Sequence, residues 1–160
     1  MNKLFFKKTF IYFGITLFIF LADRISKLYM LSVLEDLGFV DISINSYINL
    51  ILVWNTGIGF GLLNFEANLF YHFISGLIAI IILVIVYICI QADRFEKISY
   101  AMVIGGAIGN LYDRLSYFAV PDFIDIHIGN YHWFTFNIAD IFITIGITIL
   151  LIKEFFLKKK

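Results

Sequence analysis

Four long apolar runs, each bounded by charged or polar residues, set the plan of this chain. The first begins at Thr9, after Lys3, Lys7 and Lys8, and is unbroken to Ala22, where Asp23, Arg24 and Lys27 enter. It has no small-residue cleavage site, and a helical pattern continues through Leu28–Leu34. That combination predicts a retained helix over about 9–34 rather than a signal peptide. The second run, Leu69–Ile90, carries no charge and gives way to the polar segment Gln91–Ile98. The third, Ser99–Ser116, is glycine-rich up to Asn110, and the fourth, about Asn137–Leu157, ends in Lys158–Lys160. Since about 20 apolar residues cross a hydrocarbon core of roughly 30 Å, helices are expected at about 69–90, 99–116 and 137–157 as well.

Between the first two runs, residues 35–68 are too many for a plain turn. Alternation at Asp41–Ile44 and a β-rich stretch at Tyr47–Trp54 predict a small sheet there, with Gly57, Gly59 and Gly61 as bend or close-approach positions. Residues 117–133 hold the single proline, Pro121, and are expected to form a second outer loop. The fold class expected is an all-α membrane protein: one domain, 1–160, of four transmembrane helices with a small extracytoplasmic β-rich segment.

Charge gives that plan a direction. Of twelve Lys and Arg, nine lie in 1–8, 91–98 and 153–160, while 35–68 and 117–133 have none and carry six acidic residues. The positive-inside rule then places both termini in the cytoplasm. Composition agrees with a membrane protein: 61% hydrophobic and 15% charged, against roughly 45–50% and 25% in soluble domains. A net charge of zero, with no basic cluster interleaved with aromatics, speaks against a nucleic-acid partner. Cys89 is the only cysteine, so no intrachain disulfide is available.

Three basic residues remain inside the runs, Arg24, Lys27 and Arg114, each within a turn of an Asp or Asn. At 1.5 Å per residue, Asp23 lies roughly 22 Å above Lys8, Asp113 roughly 21 Å above Ser99, and Asp140 roughly 20 Å above Lys153. Three helices therefore bring aspartates to one height. Each such charge costs about 2.5–3.5 kcal/mol near mid-bilayer and needs a partner or a wet cavity. The pairs Asp23 with Lys27, Asn110 with Arg114, and Asn137 with Asp140 share helix faces. One polar cluster opening outward is expected. Ion pairing of Asp23 with Lys27 and of Asp113 with Arg114 would account for four of these residues as structure alone. It leaves Asp122 and Asp140 without a cation on the outer side.

Two carboxylates that meet cannot both ionise, and a pair sharing one proton can activate water and protonate a carbonyl without a metal. Seventeen residues separate Asp122 from Asp140, so spacing leaves their proximity open. The order of motifs adds to this. The chain reads Asp23-Arg-Ile-Ser-Lys27, Trp54-Asn55-Thr56-Gly57, Gly105-Gly-Ala-Ile-Gly109-Asn110-Leu-Tyr-Asp113-Arg114, Val120-Pro-Asp122-Phe123 and Phe136-Asn137-Ile-Ala139-Asp140.

In that order and spacing, the five blocks resemble lipoprotein signal peptidase (signal peptidase II) over essentially the whole chain. The resemblance implies an aspartic endopeptidase with Asp122 and Asp140 as its catalytic pair, supported by Asn55, Asn110, Asp113, Arg114, Asn137, Asp23 and Lys27. It also implies a prolipoprotein substrate, cut just before a diacylglyceryl cysteine. The setting implied is the bacterial cytoplasmic (inner) membrane, with the site on the extracytoplasmic side. No cofactor is implied, and a monomer embedded in lipid is expected. Pro121 and Gly59 depart from the family pattern, which more often has a small or branched apolar residue and an alanine there; neither removes a functional group.

Other features have plainer readings. Gly105 and Gly109 form a G-x-x-x-G, expected as a helix-packing face. His127 and His132, near Asp122 and Asp125, are five apart on an expected loop with no H-E-x-x-H helix, so no metal site is assigned. Trp54, Tyr117, Tyr131 and Trp133 are expected as interfacial anchors. Two rival classes stay open on the residues alone. A proton-coupled transporter should carry charges across the whole membrane, whereas the inner half of every run is apolar; a membrane assembly factor would tolerate loss of Asp122 or Asp140.

Overall fold

The computed structural model describes residues 3–57 and 68–157. Its elements run α1 (Lys3–Leu37), β1 (Asp41–Asn45), β2 (Ile48–Asn55), α2 (Asn68–Gln91), α3 (Arg94–Tyr117), β3 (Val120–Ile128), β4 (Tyr131–Phe136) and α4 (Ile138–Ile152). The last helix widens into a π-helical turn at Lys153–Leu157. The first helix begins before Thr9 and continues past Leu34, because nothing between Lys3 and Leu37 breaks a helix. Gly59 and Gly61, expected as bend positions, lie outside the described residues.

Residues 120–136 differ from the expected loop. They form a β-hairpin that joins the first two strands in one antiparallel sheet of order β1-β2-β3-β4. The signal was present: Ile124, Ile126 and Ile128 alternate with Asp125 and His127, and Gly129-Asn130 follows as a turn. Gly129 takes a left-handed φ of 58°, which an L side chain resists. Pro121 sits second in β3, opposite Trp54. A small core of Met30, Val40 and Phe123, flanked by Val33, Leu34, Leu50 and Leu52, seats the sheet on the C-terminal end of α1.

Helix α3 is the centre of the bundle and touches α1, α2 and α4. It starts on a capping box, in which Asp93 accepts from the Phe95 and Glu96 amides while the Glu96 side chain accepts from the Asp93 N–H. Its glycines let two neighbours close in on different faces. A Cβ on Gly105 would stand 2.8 Å from the Thr16 carbonyl oxygen, and one on Gly109 would stand 2.6 Å from Asp23 Oδ2. On Gly106 it would stand 2.5 Å from the Ala139 carbonyl oxygen. The G-x-x-x-G therefore packs α3 against α1 as expected, and Gly106 packs it against α4.

The outward helix faces are apolar: Phe10, Phe13, Phe18, Ile25, Phe73, Leu83 and Tyr87 are all exposed. The interior holds buried Asp23, Lys27, Asp113 and Asn137. Among the described residues, Tyr71–Gln91 is the one helix that qualifies as a membrane span by length and composition alone. Charged and polar residues interrupt α1 and α3, and α4 has 15 residues before its π-turn.

Candidate active site

The site begins with how α4 starts. Asn137 is its N-cap, and its side-chain oxygen accepts from the Asp140 amide at 3.1 Å. Asp140 Oδ2 in turn accepts from the Asn137 N–H at 3.2 Å, closing a capping box. The Asn137 side-chain amide is then free to point away from the helix. It donates to Asp122 Oδ1 at 2.6 Å and to Asn110 Oδ1 at 3.2 Å.

Asp122 comes from β3 and Asn55 from the end of β2, where the strands pair Val53 with Asp122 and Asn55 with Val120. The Asn55 side chain donates to Asp122 Oδ2 at 3.0 Å. Its own oxygen accepts from the Gly57 N–H at 3.2 Å, which orients the amide. On the other side, Asn110 of α3 donates to Asp140 Oδ1 at 2.8 Å. All four carboxylate oxygens of Asp122 and Asp140 thus accept an amide hydrogen. Neither aspartate has a cation as ion-pair partner among the described residues.

Beneath them lies a charged floor between α1 and α3. Lys27 Nζ reaches Asp23 Oδ2 at 2.7 Å, Asp113 Oδ2 at 2.6 Å and Asn110 Oδ1 at 2.9 Å. Arg24 pairs with the other oxygen of Asp113 and lies over the Tyr112 ring, 4.8 Å from its centroid. Asp23 Oδ1 accepts from the Ala139 N–H at 3.0 Å, so the floor also grips the start of α4. Two cations and two carboxylates balance. Lys27, Asp23, Asp113 and Asn137 are wholly buried.

The purely structural alternative, in which Asp113 pairs with Arg114, is not what forms. Consecutive residues on a helix point about 100° apart, so Asp113 faces α1 while Arg114 turns elsewhere and donates to the Gly57 carbonyl at 3.4 Å. Asn55, Asn110, Asp113, Asn137, Asp23 and Lys27 are joined to Asp122 and Asp140 in one hydrogen-bonded network; Arg114 meets its edge. The Ala139 amide was not foreseen, since a backbone donor leaves no mark in sequence.

Burial lifts the Asp122 carboxyl from its ordinary 3.8 to about 6; the Asn55 amide opposes the lift, the Asp140 charge adds to it, and Asn137 and Lys27 oppose it. Asp140 also lines an open groove of ≈ 330 Å³ with Phe134, Phe136, Ile141, Thr144 and Ile145. The arrangement offers two carboxylates of unequal exposure, an apolar channel to one of them, and amide donors that fix both.

Comparison with known proteins gives a consistent answer. A family model described as signal peptidase (SPase) II matches residues 15–156. The lipoprotein signal peptidase of Pelagibacter ubique (strain HTCC1062) is 44% identical over 160 residues, covering 100% of this chain and 96% of that one. That of Francisella tularensis subsp. novicida (strain U112) is 40% identical over 153 residues, covering 93% and 94%. A solved bacterial membrane enzyme superposes with a TM-score of 0.74 at 26% identity, covering 94% of each chain.

Proposed function

The chain belongs to the signal peptidase II family, proteases that remove signal peptides from prolipoproteins, and we propose that it does so as an aspartic endopeptidase cutting before a diacylglyceryl cysteine. The observation that carries this reading is the pair Asp122 and Asp140, tied to one another through Asn137 and Asn110 without a cation of their own.

The reaction needs one proton on the pair. A water held between the carboxyls gives its proton to the ionised member as its oxygen attacks the scissile carbonyl carbon. The protonated member gives its proton to the carbonyl oxygen. On collapse, a proton returns to the leaving nitrogen, the C–N bond breaks, and one water has been consumed. The titration belongs to the pair and is not divided between its members. The amides of Asn55, Asn110 and Asn137 hold the carboxyls against rotation, which preserves the geometry of attack.

A substrate anchored by acyl chains stays in lipid, so the pair has to meet it at the outer membrane boundary. Four crossings with both termini cytoplasmic put the sheet and the pair there, in the bacterial cytoplasmic membrane, with the chain acting as a monomer. Support comes from the basic residues gathered at one end and from the apolar outward faces. The groove beside Asp140 suits an apolar part of the substrate.

Purified protein is expected to cleave a diacylglyceryl-modified prolipoprotein peptide on the amino side of the modified cysteine, with no added metal and within about twofold in the presence of a chelator. Mass spectrometry of the products reads the bond cut. No cleavage of the lipidated peptide, or loss of turnover on chelation while the chain stays folded, would overturn the metal-free aspartic reading.

The pH profile follows from the raised Asp122 carboxyl. Below the lower step of the pair both carboxyls are protonated and no base remains; above the upper step both are ionised and no acid remains. The upper step is expected at about 6 or above, with kcat/KM falling about tenfold per pH unit beyond it. Asn55 lowers the Asp122 value, so Asn55→Ala should move that limb to higher pH. A limb near pH 4, or one displaced downward by Asn55→Ala, contradicts the assignment.

A further inference from the structure

Away from the aspartate pair, the sheet carries a second constellation. Asp125 and His127 stand two apart on β3, so their side chains share a face; the burial alternates accordingly, with Asp125 and His127 buried and Ile126 and Ile128 exposed. His132 on β4 is the cross-strand partner of His127. Asp125 Oδ2 lies 2.7 Å from His132 Nδ1 and 3.4 Å from His127 Nδ1. One ligand atom from each of the three falls within 4.8 Å of the other two.

Three buried polar atoms at this place lack a hydrogen-bond partner: Asp125 Oδ1, His127 Nδ1 and Asn49 Oδ1. Asn49 is the residue opposite Asp125 on β2, hence on the same face. A carboxylate oxygen and an amide oxygen are acceptors, an imidazole nitrogen is one in the matching tautomer, and polar atoms left unpartnered in a buried place cost about 1–3 kcal/mol each. No Lys or Arg among the described residues pairs with Asp125. Such a set asks for a positive charge.

We propose that Asp125, His127 and His132 bind a divalent transition-metal ion of the zinc type, with the Asn49 carbonyl beside it. Zinc takes His nitrogen and carboxylate oxygen at about 2.0–2.2 Å, so tetrahedral ligand atoms stand roughly 3.3 Å apart. The ligand atoms stand 2.7 Å apart at the His132–Asp125 hydrogen bond, which the ion would replace, and within 4.8 Å of one another overall, so side-chain rotations are needed to complete the site. The ion clips β3 to β4 and shields the acceptors facing β2. Its role is structural. Asp125 is three residues along the strand from Asp122, about 10 Å away, and none of the three ligands bonds to the aspartate pair. The proposal does not depend on the peptidase reading.

The test uses full-length protein purified in detergent without a polyhistidine tag, stripped with chelator, and titrated with Zn²⁺ alone by calorimetry. One ion per chain is expected, together with a rise in the thermal unfolding midpoint. His132 has a half-exposed side chain, 52%, so His132→Gln should fold, as gel filtration checks. It removes a ligand, which costs at least what loss of an outer-shell partner does, about 10–100-fold in affinity. His72→Gln, on the exposed face of α2, should change nothing. His127→Gln, read through the visible spectrum of bound Co²⁺, gives an independent check on the same site. Zinc uptake well below one per chain, or binding unchanged by His132→Gln and His127→Gln, overturns the proposal.

Discussion

Asp122→Asn and Asp140→Asn are each expected to lower kcat/KM by at least about 10³-fold, the upper part of what a general acid or base contributes, while the chain still folds. Asparagine keeps the shape and removes both the proton and the charge that the pair exchanges. At position 122 the neutral side chain meets two donors, Asn55 and Asn137, where the carboxylate accepts from both. One of the amides must rotate or lose its bond, which costs about 0.5–1.5 kcal/mol. Against that, a buried charge disappears. At position 140 one oxygen survives to accept either from Asn110 or from the Asn137 backbone. Cleavage of the lipidated peptide and thermal unfolding should be measured on the same preparations. Turnover within tenfold of the unmodified protein in either variant removes that residue from the reaction; an assembly factor would show no change at all.

The second large effect concerns stability. Lys27→Met should cost about 3–5 kcal/mol, the usual consequence of breaking a buried ion pair from one side, out of the roughly 5–15 kcal/mol that holds a typical fold. Lys27 is fully buried and serves two carboxylates, Asp23 and Asp113. Without it Arg24 alone faces both negative charges. Adding Asp23→Asn to Lys27→Met leaves the Arg24 and Asp113 pair balanced and should recover part of the loss. Detergent unfolding curves of the unmodified protein and of the two variants decide it. A single-variant loss under about 1 kcal/mol would mean the floor is solvated rather than sealed.

The sequence carried more of the site than of the fold around it. The heights of Asp23, Asp113 and Asp140 were readable because helix rise is constant, and the three do meet in one network. Asn137 and Asp140 were readable as neighbours because three residues on a helix share a face. What joins Asp122 to them was not, since its strand partner Val53, far earlier in the chain, fixes its position and local pattern says nothing of that. The β3–β4 hairpin was masked by Pro121, which argues against a strand, although an early position in the strand tolerates it. The pairing of Asp113 depended on which of two adjacent residues faces α1, a rotation that charge counting cannot resolve. The same blindness hid the metal-type cluster: five residues apart looks like a poor spacing on a loop and becomes direct opposition across a hairpin.

The box that opens α4 has a consequence for anyone who alters this protein. Asn137 and Asp140 are the residues that a helix-stabilising redesign would touch first, exchanging the cap for serine or the third position for glutamate. Here the amide nitrogen of the cap holds Asp122, and the third position is the other carboxylate. On the proposed aspartic mechanism, swaps that improve thermal tolerance in an ordinary helix would silence this one, so a screen scored only on heat resistance would enrich for inert molecules.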